Sequence, residues 1–150
     1  MKIAIGSDHA GFNLRKKIIA WLDEKGYEVI DCGTENQTSS NYAVEGIKVG
    51  ENVVMGNADI GIIICGSGVG ISIAANKVKG IRAALASTPE IAKLSREHND
   101  ANVLALGARF ISEKDAIKCV ELFLNTKYEG GRHENRVDTI QDYEVCCVDC

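Results

Sequence analysis

The sequence predicts a single doubly wound α/β domain, with a five-stranded parallel sheet between two layers of helices. Three observations lead to this fold class. Short apolar runs alternate with helical stretches, the runs are apolar on both faces, and no linker, repeat or low-complexity segment interrupts the alternation. The chain has 150 residues, of which 45% are hydrophobic, and this is enough for one domain with its own core.

The first half of the chain contains three predicted strands and three predicted helices. The strands are expected at 2–6, 27–31 and 60–65, and the helices at 11–25, 42–55 and 71–78. Gly26 ends the first helix, and the polar stretch 34–41 predicts a loop. The run at 60–65 is the most continuous apolar segment, so we expect it to be the central strand.

The second half continues the alternation, with strands expected at 81–85 and 102–106. Thr88 is a natural N-cap and Pro89 takes the first helical position, so a helix should run from there to about residue 96. Ser112 caps a further helix through about residue 125, and a last helix should begin near Gly131. In such a Rossmann-like domain, ligands bind beyond the carboxyl ends of the strands.

Composition excludes several classes of partner. The 17 basic and 21 acidic residues give a net charge of −4, which argues against nucleic-acid binding. No apolar run approaches the roughly 20 residues that span a bilayer, so no membrane partner is expected. The first eight residues include the charged Lys2 and Asp8, and they lack the apolar region of a signal peptide. We therefore expect a cytoplasmic protein.

The cysteines lack the regular spacing of a disulfide framework, so free thiols are expected. They are Cys32, Cys65, Cys119, Cys146, Cys147 and Cys150. We expect residues 145–150 to form a cysteine-rich tail outside the domain at 1–144. A metal or redox role for this tail is the alternative, but a closed zinc site needs four ligands and no second cysteine pair accompanies it.

Polar residues at the predicted strand ends are the candidates for a functional site. All three histidines, His9, His98 and His133, lie in such segments and not on an apolar core stripe. Arg132 and Arg136 are four residues apart, so on a helix they share one face and suit a phosphate dianion. A solvated helix face paired with nearby glutamates is the alternative, but His133 and the preceding glycines favour anion binding.

The glycine-rich segment 66–70 joins the third strand to a helix. Its backbone can approach a ligand closely, and its N–H groups favour negative charge. Ile71 stands where a dinucleotide fingerprint needs glycine, and no Gly-Lys-Ser/Thr follows, so both nucleotide-binding functions are excluded. Cys65 precedes the loop, where a thiolate is favoured, although a buried small hydrophobe is the alternative interpretation.

Together these blocks resemble the ribose-5-phosphate isomerase B family, which is grouped with the galactose-6-phosphate isomerase subunits. The matching stretches are 6–11, 64–77, 95–102 and 129–133, and the likeness extends over about residues 2–144. The resemblance implies that ribose 5-phosphate and ribulose 5-phosphate are interconverted through an enediolate, with no metal and no organic cofactor. It also implies a homodimer, or a pair of dimers, with sites built from two subunits.

The resemblance implies four catalytic residues. Cys65 is the base that moves a proton between C2 and C1, Ser67 stabilises the enediolate oxygens, and His98 with Asp8 opens the furanose ring. The implied substrate-binding residues are Asp8, His9, Gly66, Ser67, Gly68, Val69, Gly70, Asn99, Arg109, Arg132 and Arg136. Among them, Asn99 would hold sugar hydroxyls, and His9 and the three arginines would surround the phosphate. The segments that carry His98, Asn99 and Arg109 would come from the second subunit.

The sequence departs from the family pattern in two places, and the second keeps an alternative substrate open. Ser67 stands where threonine is usual, which retains the hydroxyl. Residues 41–43 read Asn-Tyr-Ala where Asp-Tyr-Pro is usual, and that loop borders the sugar. The same chemistry on a four- or six-carbon sugar phosphate, of the erythrose, allose or galactose type, is therefore the alternative. The other alternative is a binding module that senses an anionic sugar, but such a module does not need Cys65 and His98.

Overall fold

A computed structural model describes residues 1–35 and 37–146, which include one five-stranded sheet. The strands are β1 Lys2–Ser7, β2 Glu28–Asp31, β3 Ile60–Cys65, β4 Ala83–Leu85 and β5 Val103–Gly107. All neighbouring strands are parallel, in the order β2-β1-β3-β5-β4. Every residue of β3 is buried at the centre of the sheet. The predicted fold class and the predicted central strand are therefore confirmed.

Six α-helices connect and follow the strands. They are α1 Phe12–Glu24, α2 Tyr42–Val54, α3 Val69–Ala75, α4 Pro89–Asn99, α5 Glu113–Asn125 and α6 Glu134–Cys146. A short 3-10 helix, Gly131–His133, precedes α6. Thr88 and Ser112 cap α4 and α5 with their hydroxyl oxygens, as the sequence predicts. None of the helices in the described part of the chain is both long and apolar enough to cross a membrane.

Two apolar cores lie on opposite faces of the sheet, because successive strand residues point to opposite sides. Ile62 and Ile64 belong to the core that α1, α4 and α5 cover. Ile63 and Cys65 belong to the core that α2 and α3 cover. The Cys65 thiol therefore lies at the end of the central strand, on the α2 and α3 side of the sheet.

Several element ends differ from the sequence predictions. The strand expected to begin at residue 81 begins at Ala83, because the N–H groups that precede it are bound by side chains. Asn102 Oδ1 accepts a hydrogen bond from the N–H of Arg82, and Asn76 Oδ1 accepts one from the N–H of Ala83. The fourth helix continues through Asn99, beyond the predicted end near residue 96. It stops where Asp100 adopts a positive φ of 45°. The third helix begins at residue 69, two residues early, directly after Gly68.

The predicted cysteine-rich tail at 145–150 lies mostly outside the described residues. Its first two residues, Val145 and Cys146, continue α6, and Cys147 and Cys150 fall beyond the part that the structure describes. The four described cysteines are free thiols, in agreement with the sequence expectation.

Candidate active site

A cleft of about 560 Å³ opens at the carboxyl edge of β1, β3 and β5. Its lining residues are Asp8, Tyr42, Cys65, Gly66, Ser67, Val69, Gly70, Ile73, Arg109 and Phe110. Most of them directly follow a strand, which is where ligands bind in open parallel sheets. The volume is in the range of about 300–1,000 Å³ that is typical of small-molecule sites.

The Cys65 thiol lies at the base of this cleft and is only 4% exposed. Its Sγ accepts a hydrogen bond of 3.1 Å from the backbone N–H of Gly68. Gly68 has a φ of 78°, and a Cβ there would lie 2.4 Å from Leu85 Cδ1, so both conformation and space require glycine. The glycine loop thus directs a donor at the sulfur, and this stabilises negative charge on it.

Ser67 follows Gly66 in the loop, and Arg109 contacts Gly66 from the segment after β5. Ser67 Oγ accepts the N–H of Val69 at 3.2 Å, so the hydroxyl proton stays available to a ligand. The Arg109 guanidinium covers Gly66, where a Cβ would lie 2.9 Å from Nη1. Arg109 therefore lines the cleft of its own chain. The family resemblance, by contrast, implied that this segment comes from the second subunit.

Asp8 enters the cleft directly after β1 and is 5% exposed. Its Oδ1 accepts the N–H groups of Ala10 and Gly11 at 3.0 and 3.1 Å. Its backbone N–H donates to the Ile64 carbonyl of β3 at 3.2 Å. His9 follows, and its Nδ1 accepts the Ser40 N–H at 3.3 Å. The Asp8 carboxylate is thus held in a fixed orientation beside Cys65.

A second group of side chains, the histidine group, consists of the predicted site residues His98, Arg132 and Arg136 together with Glu129 and His133. The rings of His98 and His133 stack with centroids 4.1 Å apart and planes 13° apart. His133 Nε2 lies 3.7 Å from Glu129 Oε2. Burial, together with the nearby His98 and Arg132, lowers the pKa of His133, so the neutral imidazole is favoured.

The histidine group also contains three side chains of metal-binding type. One ligand atom from each of His98, Glu129 and His133 lies within 4.8 Å of the others. A metal bound by two imidazoles lies close to both ring planes, at about 2.0–2.1 Å from each nitrogen. Nearly parallel planes at the observed stacking distance do not meet at such a point. The arrangement therefore suits two stacked imidazole rings better than a metal centre.

Arg132 and Arg136 lie on either side of the junction between two helical segments. Arg132 belongs to the 3-10 helix and Arg136 to the first turn of α6, and both are exposed. Arg136 Nη1 donates to the Arg132 carbonyl, so the Arg136 side chain turns back to the backbone of Arg132.

The histidine group lies at the opposite edge of the sheet from Cys65. The helix α4 begins after the carboxyl end of β4 and runs back over 11 residues, a length of about 16 Å. It therefore brings His98 and Asn99 to the amino edge, where Arg82 Nε donates to the Asn99 carbonyl at 3.2 Å. A separate cleft of about 430 Å³ opens there, lined by Asn76, Ile81, Arg82, Ala83, Ala84, Asn99, Ala101, Ile140 and Glu144. Within one chain, the predicted site residues thus form two groups.

Sequence reasoning did not assign Tyr42, Ile73 and Phe110 to the site, yet all three line the cleft beside Cys65. The Tyr42 ring packs on Gly70, where a Cβ would lie 2.6 Å from the ring. Its place in the segment 41–43, already noted as bordering the sugar, was an available signal. Phe110 is 77% exposed and has no sequence signal beyond its position next to Arg109.

The fold and the cleft define a small-molecule enzyme with a thiol, a carboxylate and an arginine at one strand edge. The model of the Ribose/Galactose Isomerase family matches residues 3–140. Ribose-5-phosphate isomerase B of Escherichia coli K12 is 50% identical over 143 residues, which cover 95% of this chain and 96% of the relative. The chain belongs to the ribose/galactose isomerase family.

Solved structures give the same result. A ribose-5-phosphate isomerase B of Clostridium thermocellum superposes with a TM-score of 0.94 at 52% identity, over 96% of this chain and 97% of that chain. The enzyme of Mycoplasma genitalium, solved with bound ribulose-5-phosphate, gives a TM-score of 0.91 at 43% identity, over 95% of each chain.

Proposed function

We propose that this protein interconverts ribose 5-phosphate and ribulose 5-phosphate through an enediolate, without metal or organic cofactor. The observation that carries the proposal is the Cys65 thiol at the base of the cleft, beside the Asp8 carboxylate and under the N–H of Gly68. The bound ribulose-5-phosphate of the Mycoplasma genitalium relative supports the choice of a pentose phosphate.

In the proposed reaction, ring opening comes first. Opening a furanose removes a proton from the C1 hydroxyl and delivers one to the ring oxygen, so it needs an acid and a base on opposite sides of the sugar. Asp8 of one chain and His98 of a second chain supply this pair. The two N–H groups that hold Asp8 Oδ1 leave Oδ2 for the substrate.

Isomerisation follows on the open chain. The Cys65 thiolate removes the C2 proton, which leaves an enediolate, and returns the proton to C1, while the proton of the C2 hydroxyl passes to the C1 oxygen. Negative charge develops on the two sugar oxygens during this step. The Ser67 hydroxyl and the N–H groups of the loop 66–70 donate to these oxygens, and such preorganised donors are a large source of rate acceleration.

The phosphate is bound by side chains from both groups of site residues. Arg109 and His9 approach it from the cleft that holds Cys65, and Arg132 and Arg136 from a second chain. Because the chain carries a net charge of −4, attraction for a dianion must be local. Planar guanidinium groups supply it through paired, charge-assisted hydrogen bonds.

The same separation of residues supports a homodimer with shared sites. One chain holds Cys65 and His98 at opposite edges of its sheet, so the carboxyl edge of one copy must face the amino edge of the other. A two-fold axis then generates two identical sites, and such dimers can pair further. Exposed apolar residues near both clefts, Ile73 and Phe110 at one and Ile140 at the other, provide surface for this contact.

The free thiols fit a reducing compartment, and we propose the cytoplasm.

A kinetic panel of aldose phosphates with four, five and six carbons tests the function, with purified protein and a chelator present. The expected result is the highest kcat/KM for ribose 5-phosphate and no loss in the chelator. A higher value for a four- or six-carbon substrate would favour the alternative substrate instead, because Tyr42 of the variable segment lines the cleft. Binding without turnover of any sugar would favour the sensing module.

A further inference from the structure

Arg15 is a buried cation that the proposed reaction does not use. It lies on α1, is 1% exposed, and is the largest of the fully buried side chains in the described part of the protein. A buried charge is costly unless it is paired and fully hydrogen-bonded. The partners of Arg15 therefore indicate what the charge does.

The Arg15 guanidinium connects the ends of two strands and the loop that follows them. Nη1 donates to Ser7 Oγ at 2.8 Å and to the Ser7 carbonyl at 3.4 Å. Nη2 donates to the Thr34 carbonyl, and Nε lies 3.2 Å from Asp31 Oδ1. The Thr34 N–H in turn donates to the Ser7 carbonyl at 3.3 Å. Ser7, the last residue of β1, is thus held by both its hydroxyl and its carbonyl.

Gly33 makes room for this arrangement. A Cβ at Gly33 would lie 1.7 Å from Arg15 Nη1 and 2.4 Å from Cζ. The backbone after β2 therefore runs directly against the guanidinium, and no larger residue fits without displacing it.

We propose that Arg15 is a positioning residue for the isomerase reaction, acting through Ser7 on Asp8. The inference rests on the proposed function, since Asp8 is the carboxylate assigned to ring opening. Asp8 follows Ser7 directly, so fixing the Ser7 carbonyl and hydroxyl fixes the backbone from which Asp8 enters the cleft. The planar guanidinium suits this role because it donates to several segments at once, which a lysine ammonium at the same place does less well.

The test compares Arg15→Met with Lys16→Met as a matched control. Lys16 is the next residue of α1 and binds the other oxygen of Asp31 at 3.1 Å, so its loss removes the same charge and a shared partner but no contact with Ser7. Steady-state kinetics should show a kcat about 10- to 100-fold lower for Arg15→Met, because a misplacement of about 1 Å far from the chemistry can cost about 100-fold. Lys16→Met should retain the wild-type kcat, and Arg15→Lys should recover part of the loss.

A double-mutant cycle with Asp8→Asn separates positioning from a general effect on folding. If Arg15 acts through Asp8, Arg15→Met should lower kcat by less than about threefold once Asp8 is already changed, because the two losses then overlap. The same fold-loss in both backgrounds would overturn the proposal, as would a folded Arg15→Met with wild-type kcat. Inactivity of the wild type and of Lys16→Met would instead count against the proposed function.

Gly33→Ala provides a variant with Arg15 intact. Its Cβ should displace the guanidinium from Ser7 and reproduce the loss of kcat, again with little further loss in the Asp8→Asn background. If Arg15→Met does not fold, the cycle is run with Arg15→Lys and Gly33→Ala. Wild-type kcat in both of these variants would overturn the proposal.

Discussion

The cleft that holds Cys65 and the histidine group differ in how the chain fixes their side chains. In the cleft, Cys65 ends β3 and Asp8 directly follows β1, and both residues are almost fully buried and held by backbone N–H groups. In the histidine group, His98 and His133 hold each other by stacking, and Arg132 and Arg136 are exposed. The sheet thus fixes Cys65 and Asp8, whereas helix ends carry most side chains of the histidine group.

This difference predicts unequal consequences of substitution. A change at Cys65 removes a reacting atom and should lower the rate most. A change in the arginine pair removes binding to a part of the substrate that does not react. Binding energy from such a part also helps to position the reacting carbons, so turnover and affinity should both suffer, but less.

The largest expected effect is that of Cys65→Ala. Loss of a general base typically costs about 10²- to 10⁴-fold in rate, so kcat should fall by this factor while inorganic phosphate still binds. Stopped or continuous assays of ribulose 5-phosphate formation measure the rate, and competition with phosphate measures binding.

Cys119→Ala is the matched control for Cys65→Ala. Cys119 is also buried, but it lies on α5 in the core on the other face of the sheet, and burial raises the pKa of its thiol to about 11. Its loss should leave kcat unchanged. A Cys65→Ala protein with wild-type kcat would show that the base lies elsewhere.

The next largest effect is expected for Arg136→Ala. Charge-assisted hydrogen bonds contribute about 1.5–3 kcal/mol each, so kcat/KM for ribose 5-phosphate should fall about 10- to 150-fold. Activity on unphosphorylated ribose should barely change. Lys127→Ala, which removes an exposed cation nearby, controls for the change in net charge. Equal losses on the phosphorylated and free sugars would refute phosphate binding by Arg136.

Mixing chains tests whether the two groups of residues meet across an interface. Cys65→Ala and His98→Ala are each expected to be inactive alone. After chain exchange, half of the dimers are mixed and each mixed dimer has one intact site, so about a quarter of the wild-type activity should return. Absence of regained activity, with exchange verified by mass-tagged chains, would rule out a shared site.

The smallest expected effect is the pH dependence of stability through His133. Its folded-state pKa is lowered, chiefly by burial, so between that value and about pH 6.5 the unfolded chain binds more protons than the folded chain. The contribution of His133 to the free energy of unfolding is therefore fully present above about pH 6.5 and is lost as the pH falls through this window. Urea unfolding at a series of pH values should show a shallower decline for His133→Gln. An identical slope would contradict the burial of a neutral imidazole.

The sheet and its helical layers follow from the sequence because strand residues here are apolar on both faces. That pattern alone indicates burial between two layers, and the continuous run at 60–65 marks the central strand. Element ends were less predictable. The start of β4 depends on side chains of Asn76 and Asn102, which are distant in sequence, and the end of α4 depends on the positive φ of Asp100.

The candidate site was predicted in composition but not in arrangement. Its position at a strand end made Cys65 a candidate, since a parallel sheet brings its carboxyl ends to one edge, and the family resemblance assigned the role of Asp8. The edge on which His98 lies depends on where α4 ends, three residues beyond the predicted end. The burial of Arg15 was also not predicted, because its partners lie on segments far along the chain and its space depends on Gly33.

The separation of Cys65 from His98 by the sheet has a genetic consequence under the shared-site arrangement. A chain that lacks only Cys65 leaves one working site in every dimer that it forms with an intact chain, so the defect behaves as recessive. A chain that lacks both residues inactivates both sites of the dimer that it forms with an intact chain. One site lacks the thiol and the other lacks the imidazole. Such a double mutant should be dominant over the wild-type copy, although each single change is not.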